Sequence, residues 1–388
     1  MRTHSKRVLC LTSYYLPGVK SGGPLRSLLH MQEWLGSEYE FSVLTRNRDL
    51  GETEPYADLE RGGWHTVSGL HVCYLPAPQW RPGPIRKAIR EARPNLLYFH
   101  SSVDFSMTIV PLLLRRLGLL GSDAPVIVAP RGEYSPGARS IKRRRKRIFF
   151  RLARLIGLYR DVTWHATKEK EAEQIRSLWG DGARIHIAAN LPSKRSLEEL
   201  PAHSAKATGP LRLVFLSRIS RMKNLDGALA ILRGVTVDVA LDIFGAREDP
   251  QYWAECQQLM GALPSNVVAT YRGIIPPDRV IETLSIYDAF FLPTLGENFG
   301  HVILEALLAG CPVILSDQTP WRELAGDKAG FDLPLGQPER FVAAIHELAA
   351  MTPAEHGAWS QGARRHGAGY ASNVTLVDQT RRLLSSTL

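Results

Sequence analysis

The chain has 388 residues, enough for two domains of ordinary size, and its apolar fraction of 44% excludes a disordered protein. Its four cysteines lack paired spacing, which argues for a reducing compartment and against a disulfide framework or a zinc site. The net charge of +10 is unevenly distributed and favours an anionic partner, whether nucleic acid, a membrane face or an acidic acceptor.

Short apolar runs alternate with helical patterns along the chain, an order typical of parallel sheets flanked by helices. In the first half we predict strands at residues 8–12, 41–45, 96–100, 126–129 and 162–167, and then the helix Glu169–Trp179. The first apolar run is too short for a signal-peptide core, and two arginines interrupt the run at 108–120, so it cannot span a bilayer. We therefore expect a cytoplasmic protein.

One segment of the first half carries much of the positive charge. Between Arg139 and Arg154, nine residues are Lys or Arg and none is acidic. The apolar residues at helical spacing in and beside it are Ile141, Ile148, Leu152 and Leu155. This pattern suits a helix on an anionic membrane surface, and a solvated basic face that covers the core is the alternative. Nucleic acid is the weakest of the three possibilities and is not predicted as a partner, because few aromatic residues are interleaved.

The composition changes between residues 193 and 209, where a polar segment without a strong period predicts an interdomain linker. After it we predict strands at 211–217, Val239–Phe244, 267–271, Ala289–Leu292 and 312–315, with a helix at 225–233. We place the first domain at 1–195 and the second at 210–370. The fold class is α/β, with two doubly wound Rossmann-like domains that face an interdomain cleft.

Two glutamates stand eight positions apart in the second domain. Glu305 is the only charged residue from 302 to 309, and a helix that is apolar on every side is normally buried. Its carboxylate therefore needs a polar partner inside the protein, and a ligand is one candidate. Glu297 precedes the predicted helix start at Phe299 and Gly300, so it would lie at the positive end of the helix dipole. Together the two carboxylates predict contacts with separate parts of one ligand.

Two strand-to-helix turns have the composition of phosphate sites. In the second domain, Arg218 and Lys223 flank a turn at the predicted carboxyl edge of the sheet, where their charges suit a diphosphate. In the first domain, Gly22 and Gly23 let the backbone approach a ligand just before Pro24 opens a helix. An ordinary turn is the alternative for each.

Other residues follow predicted strands at the same edges. In the second domain, where backbone groups could contact a nucleobase, these are Gly245, Arg272, Gly273 and Ile274. In the first domain, on the acceptor side, these are His100, Arg131 and Glu133. A Gly-x-Gly-x-x-Gly fingerprint, a P-loop and a site-like Asp-x-Asp are all missing from the sequence, so we expect no nicotinamide, no Walker-type ATP site and no essential metal.

Taken together, these motifs resemble glycosyltransferase family 4, a retaining family with the GT-B fold. Glu297 and Glu305 match its Glu-x7-Glu signature. Arg218 and Lys223 match its Arg…Lys pair. Gly22 and Gly23 match the Gly-Gly loop that follows the family's first strand. The family's histidine after the strand at 126–129 is replaced by Pro-Arg-Gly-Glu at 130–133. The chain resembles a bacterial subgroup that acts in exopolysaccharide or O-antigen assembly.

The resemblance implies transfer of a sugar from a UDP- or GDP-sugar to a glycan acceptor, lipid-linked in this subgroup, with retention of configuration and without a metal or cofactor. Glu305 would bind the ribose, Glu297 would lie near the donor sugar hydroxyls, and Arg218 and Lys223 would neutralise the leaving diphosphate. Gly22 and Gly23 would close over the same diphosphate. The backbone amides expected to contact sugar and phosphate are those of Asn298, Phe299, Gly300, His301 and Val302.

The resemblance also implies that the tail, residues 371–388, packs back on the first domain. The lipid-linked acceptor and the basic helix together suggest the inner face of the plasma membrane as the place of action. Two alternatives stay open. One is a GT-B sugar-nucleotide epimerase, and the other is a basic membrane- or nucleic-acid-binding protein with a degenerate cleft.

Overall fold

The computed structural model of the chain describes residues 6–135, 143–194 and 200–388. The chain divides into two compact units. Unit 1 is formed by the chain up to Leu191 together with Val374–Leu388, and unit 2 is formed by Pro192–Asn373.

Unit 1 is built on an eight-stranded sheet. Its strands are β1 (Lys6–Leu11), β2 (Tyr39–Arg46), β3 (Gly63–Val67), β4 (Leu70–Leu75), β5 (Leu96–Phe99), β6 (Val126–Val128), β7 (Val162–Ala166) and β8 (Arg184–Ile187). Its described helices are α1 (Gly23–Leu35), α2 (Pro82–Ala92), α3 (Val110–Arg116), α4 (Arg143–Leu155), α5 (Glu169–Trp179) and, from the chain end, α12 (Thr375–Thr387). The strand order is β3-β4-β2-β1-β5-β6-β7-β8, and only the β3–β4 pair is antiparallel.

Unit 2 is built on a six-stranded parallel sheet in the order β11-β10-β9-β12-β13-β14. The strands are β9 (Leu211–Leu216), β10 (Val239–Phe244), β11 (Val267–Gly273), β12 (Ala289–Leu292), β13 (Val313–Ser316) and β14 (Gly330–Leu333). The helices are α6 (Leu225–Leu232), α7 (Pro250–Gly261), α8 (Val280–Leu284), α9 (His301–Leu308), α10 (Pro338–Ala350) and α11 (Pro353–Ala371).

The buried central strands explain why each sheet forms. β12 and β13 are buried at every position, as expected for parallel strands with helices on both faces. The predicted fold class, α/β with doubly wound sheets, is confirmed. Among the parallel strands of each sheet the order reverses once, between β1 and β5 in unit 1 and between β9 and β12 in unit 2. Ligands of such folds bind outside the carboxyl ends of the strands at this switch point.

The end of the polar segment before β9 packs on unit 2. Nζ of Lys206 donates hydrogen bonds to the carbonyls of Leu348 at 2.9 Å and Met351 at 2.7 Å, so it caps the end of α10. The chain end packs on unit 1. There, Nε and Nη2 of Arg381 in α12 each donate to one carboxylate oxygen of Glu38, both at 2.8 Å. The composition of these segments does not show which unit each one contacts.

Candidate functional site

The loops that follow β9 and β12 lie side by side at the switch point of unit 2. The backbone N–H of Leu295 donates to the Met222 carbonyl at 3.0 Å, and the side-chain amide of Asn224 donates to the Pro293 carbonyl at 2.7 Å. The buried Thr294 hydroxyl adds a third bond to Met222, at 2.9 Å. These bonds place the basic turn directly against the loop that carries Glu297.

Lys223 and Glu297 form an ion pair across this junction, with side chains only 12% and 15% exposed. Burial acts to raise the pKa of the Glu297 carboxyl. The positive charge of Lys223, the N–H of Asn298 and the charge of Arg218 outweigh burial, and the pKa is lowered. The carboxylate is therefore ionised at neutral pH, and its charge holds the lysine in place.

Arg218, at the other end of the basic turn, pairs with a carboxylate that the sequence motifs do not mark. Its Nη1 donates to both oxygens of Glu248, at 3.1 and 2.9 Å. Glu248 lies in the loop after β10, the strand beside β9, and both side chains are about one third exposed. Arg218 and Lys223 thus each face a carboxylate, at a site that opens to solvent on the Arg218 side.

Helix α9 presents one open face next to these charges. Gly300 caps its start at φ 82°, and a Cβ there would lie 2.6 Å from Cδ1 of Ile303, so a side chain would disrupt the turn. The other residues of the helix are buried, whereas Val302 and Glu305, three positions apart, are half-buried and share a face. Glu305 therefore lies on the partly exposed side of the helix, which begins at His301, directly after the predicted start at Phe299 and Gly300.

Aromatic side chains fix the loop before α9. The Phe299 ring packs 5.6 Å from Trp321 and 5.2 Å from Tyr370 between ring centres, and Nε1 of Trp321 donates to the Phe299 carbonyl at 2.7 Å. The His301 ring packs on Phe299 at 4.7 Å. Of the residues predicted to offer backbone amides here, Phe299 and His301 use their side chains in the core. The loop is therefore held rigidly by packing.

The predicted nucleobase contacts lie at the ends of β10 and β11. The Gly245 N–H donates to the Gly273 carbonyl at 2.8 Å, and a Cβ on Gly245 would lie 1.8 Å from the Ser217 carbonyl oxygen. Only glycine fits between these strand ends. Arg272 points to Asp242, with a 2.9 Å bond, and Ile274 is 48% exposed.

In unit 1, Gly22 adopts φ 65° at the start of α1, a backbone conformation that favours glycine. The segment before it is held by Asp49, whose Oδ2 accepts from the N–H groups of Val19 at 2.9 Å and Lys20 at 3.2 Å. Gly23 is the first residue of α1, and the following proline lies in its first turn.

The three predicted acceptor-side residues lie in one polar region of unit 1, where His100 is buried and Arg131 and Glu133 are half-buried. Glu133 accepts bonds from the Ser102 N–H and hydroxyl at 2.7 and 2.6 Å; burial, only partly offset by these bonds, raises its pKa. Arg131 donates to the Tyr98 hydroxyl at 3.0 Å and to the side-chain oxygen of Asn190 at 2.6 Å. Among the described residues, His100 is buried with neither ring nitrogen hydrogen-bonded, and its pKa is lowered well below the usual value by burial and by Arg131.

The described ranges bear on two wider function classes, metal-binding and membrane-spanning proteins. No three His, Cys, Asp or Glu side chains within residues 6–135, 143–194 and 200–388 are grouped so that they could hold a metal ion. In the same ranges, no helix combines the length and apolar character that crossing a membrane requires.

Comparison with known proteins gives the site a context. Residues 197–366 match the family model described as Glycosyl transferases group 1. A D-inositol 3-phosphate glycosyltransferase of Jonesia denitrificans is 26% identical over 234 residues, which are 55% of this chain and 54% of that protein. The match thus spans about half the length of this curated relative.

Two of the solved structures that resemble the chain do so over 98% of its length at 16% identity. One is a sucrose-phosphate synthase from Thermosynechococcus elongatus, with a TM-score of 0.73 and 98% of that chain covered. The other is HepE from Anabaena in complex with UDP and glucose, with a TM-score of 0.70 and 100% of that chain covered. At this identity the likeness shows the fold, which is GT-B.

Proposed function

We propose that this protein is a glycosyltransferase of family 4 that transfers a sugar from a nucleoside-diphosphate sugar to a glycan acceptor with retention of configuration. One observation carries the proposal. The basic turn with Arg218 and Lys223 is bonded to the Glu297 loop at the switch point of one parallel sheet, and α9, which carries Glu305, begins at the end of that loop. The match of residues 197–366 to a glycosyltransferase model covers the same elements.

The charges of this site suit the bond that breaks. Transfer breaks the bond between the sugar C1 and the diphosphate oxygen, and the electron pair leaves with the nucleoside diphosphate. Arg218 and Lys223 would bind the phosphate oxygens of the leaving diphosphate and stabilise the negative charge as it develops. In the proposed same-face reaction, the acceptor hydroxyl oxygen bonds to C1 and its proton passes to the leaving phosphate. This sequence of steps needs no metal.

In this proposal, the two glutamates contact opposite ends of the sugar-nucleotide donor. Glu297, held beside the turn by Lys223, faces the sugar hydroxyls. Glu305 binds the ribose hydroxyls from the second turn of α9. Backbone groups at the end of β11, from Arg272 to Ile274, would contact the base, and the UDP bound by HepE makes UDP-sugars the first donors to test.

The proposed acceptor is a lipid-linked glycan of the kind used in exopolysaccharide or O-antigen assembly. The outer face of α4 supports this choice, because it joins apolar and basic side chains on the surface of unit 1. The protein would then act at the inner face of the plasma membrane.

The test begins with a thermal-shift screen of UDP, GDP, ADP and their sugars, since a ligand that binds only the folded state raises the melting temperature. We expect one nucleotide series to stabilise the protein. The donor selected is then incubated with a membrane extract as acceptor, and product and remaining donor are followed by mass spectrometry and by NMR of the anomeric proton. Retention predicts the same anomeric configuration in product and donor.

Two variants test the residue assignment. Arg218→Ala and Glu305→Gln should each weaken nucleotide binding while the melting temperature of the protein without ligand stays unchanged. Unchanged binding in both variants would overturn the site. Epimerised donor in reactions without acceptor would instead support a sugar-nucleotide epimerase, which shares the GT-B fold.

A further inference from the structure

Helix α4 has two apolar faces, only one of which packs on unit 1. Phe150 and Ala153 are buried in the core, and Phe149 is half-buried beside them. Ile148, Leu152 and Leu155, by contrast, are 59%, 55% and 82% exposed. The last three stand at positions i, i+4 and i+7, so they form one outward stripe. The sequence predicted this stripe with Ile141 as a fourth member, but Ile141 lies outside the described residues.

An arginine stripe runs beside the apolar one. Arg147, Arg151 and Arg154 each directly precede a member of the apolar stripe, and all three are exposed. Exposed Arg144 and Arg145 lie in the first turn of the helix. From Arg143 to Leu155 the helix contains no acidic residue, so this face is both apolar and strongly cationic.

The surface continues onto the end of α3. A Cβ on Gly157 would lie 3.4 Å from Nη2 of Arg116, which places the end of α3 beside the end of α4. Leu117 and Leu119, just after Arg116, are 68% and 47% exposed, and Ile156 is 47% exposed. Two neighbouring elements of unit 1 thus present large aliphatic side chains among arginines; we call this surface the α3–α4 face.

The chemistry of the α3–α4 face distinguishes among possible occupants. A second copy would bring the same arginines against each other, with no acid on α4 to pair with them. Nucleic acid is bound through arginine and stacked aromatic rings, but the exposed apolar side chains of this face are leucine and isoleucine. An anionic bilayer takes both components, because aliphatic side chains enter the headgroup boundary while arginines bind lipid phosphates.

We propose that the α3–α4 face docks unit 1 on an anionic phospholipid bilayer, with Leu152 and Leu155 inserted among the headgroups. This inference deepens the proposed function, since it rests on the membrane location of a lipid-linked acceptor, but it is carried by unit 1 alone. It predicts that binding requires both the charge and the apolar stripe.

Vesicle flotation of the full chain tests the proposal. Vesicles of phosphatidylcholine mixed with phosphatidylglycerol should carry the protein upward, and vesicles of phosphatidylcholine alone should not. Arg151→Glu with Arg154→Glu should weaken binding about 25-fold or more, from about fivefold for each arginine near an anionic surface. Leu152→Ser with Leu155→Ser should weaken it about tenfold or more, because two inserted aliphatic side chains are lost.

Helix α2 supplies a matched control. Lys87→Glu with Arg90→Glu makes the same two charge reversals on exposed positions of unit 1, but the apolar residues of α2, Ile85 and Ile89, are buried. This variant should float almost as well as the original protein. Melting temperatures of all variants should agree, since every changed side chain is exposed.

Several results would overturn the proposal. These are failure of the original protein to float, equal loss in the α2 control, and full binding by the leucine double variant. Tight binding of duplex DNA that the leucine change leaves intact would assign the face to nucleic acid. A dimer abolished by that change would assign it to a second copy. Nucleotide binding by unit 2, measured on the same preparations, shows separately whether the proposed function holds.

Discussion

Replacing Glu248 by glutamine should strengthen the binding of a nucleoside diphosphate. In the structure, Glu248 holds Arg218 through two bonds at 3.1 and 2.9 Å, so a diphosphate that binds Arg218 must compete with this carboxylate. With both side chains about one third exposed, the pair is worth about 0.2–1 kcal/mol. Release of that competition corresponds to at most about a fivefold lower Kd.

Isothermal titration of UDP, or of the nucleotide that the thermal-shift screen selects, measures this change. Glu255→Gln is the matched control, because Glu255 pairs with Arg221 of the same basic turn at 2.7 Å and is similarly exposed. Its affinity should stay at the original value, whereas Arg218→Ala should lose about tenfold or more. Unchanged or weaker nucleotide binding by Glu248→Gln would refute the competition. An equal gain in affinity for both glutamine variants would show that the effect comes from the change in net charge alone.

Three further predictions concern the rest of the site. Glu305→Gln should weaken UDP binding about tenfold by calorimetry and leave pyrophosphate binding unchanged, because only UDP carries a ribose; parallel loss for both ligands would contradict this. Gly245→Ala should lower the free energy of unfolding by more than ~1 kcal/mol in urea, since its Cβ meets the Ser217 carbonyl at 1.8 Å, whereas Gly261→Ala, in a helix with open space around it, should be neutral or stabilising. The lowered pKa of Glu297 contributes stability above the ordinary carboxyl pKa that is lost as pH falls through the folded value, so Glu297→Gln should flatten the acid limb of a stability–pH curve; an unchanged limb would show that this carboxylate is not stabilised by folding.

The elements that the sequence predicts correctly are those with the strongest local patterns. Three were predicted at their exact bounds, Glu169–Trp179, Val239–Phe244 and Ala289–Leu292, because continuous apolar runs or clear helical periods define them. The hairpin of β3 and β4 and the edge strands β8 and β14 were not predicted. The short, mixed polar patterns of β8 and β14 become strands only through pairing with neighbours, which local sequence does not encode.

The candidate site divides in the same way. Arg218, Lys223, Glu297 and Gly300 could be found because they lie in turns whose position follows from the adjacent strands. The partner of Arg218 could not, since Glu248 is 30 residues away and is placed by the neighbouring strand β10. Burial of His100 with unbonded ring nitrogens likewise depends on packing around β5 and was not evident from its sequence position.

The basic turn beside the glutamate loop is the centre of the account, and calorimetry on the double variant Arg218→Ala/Lys223→Ala tests it most directly. The original protein should bind one nucleoside diphosphate with a single site per chain. The folded double variant should lose about a hundredfold or more in affinity, from two charge-assisted contacts of about 1.5–3 kcal/mol each. A folded double variant that binds the nucleotide as tightly as the original protein would contradict the account.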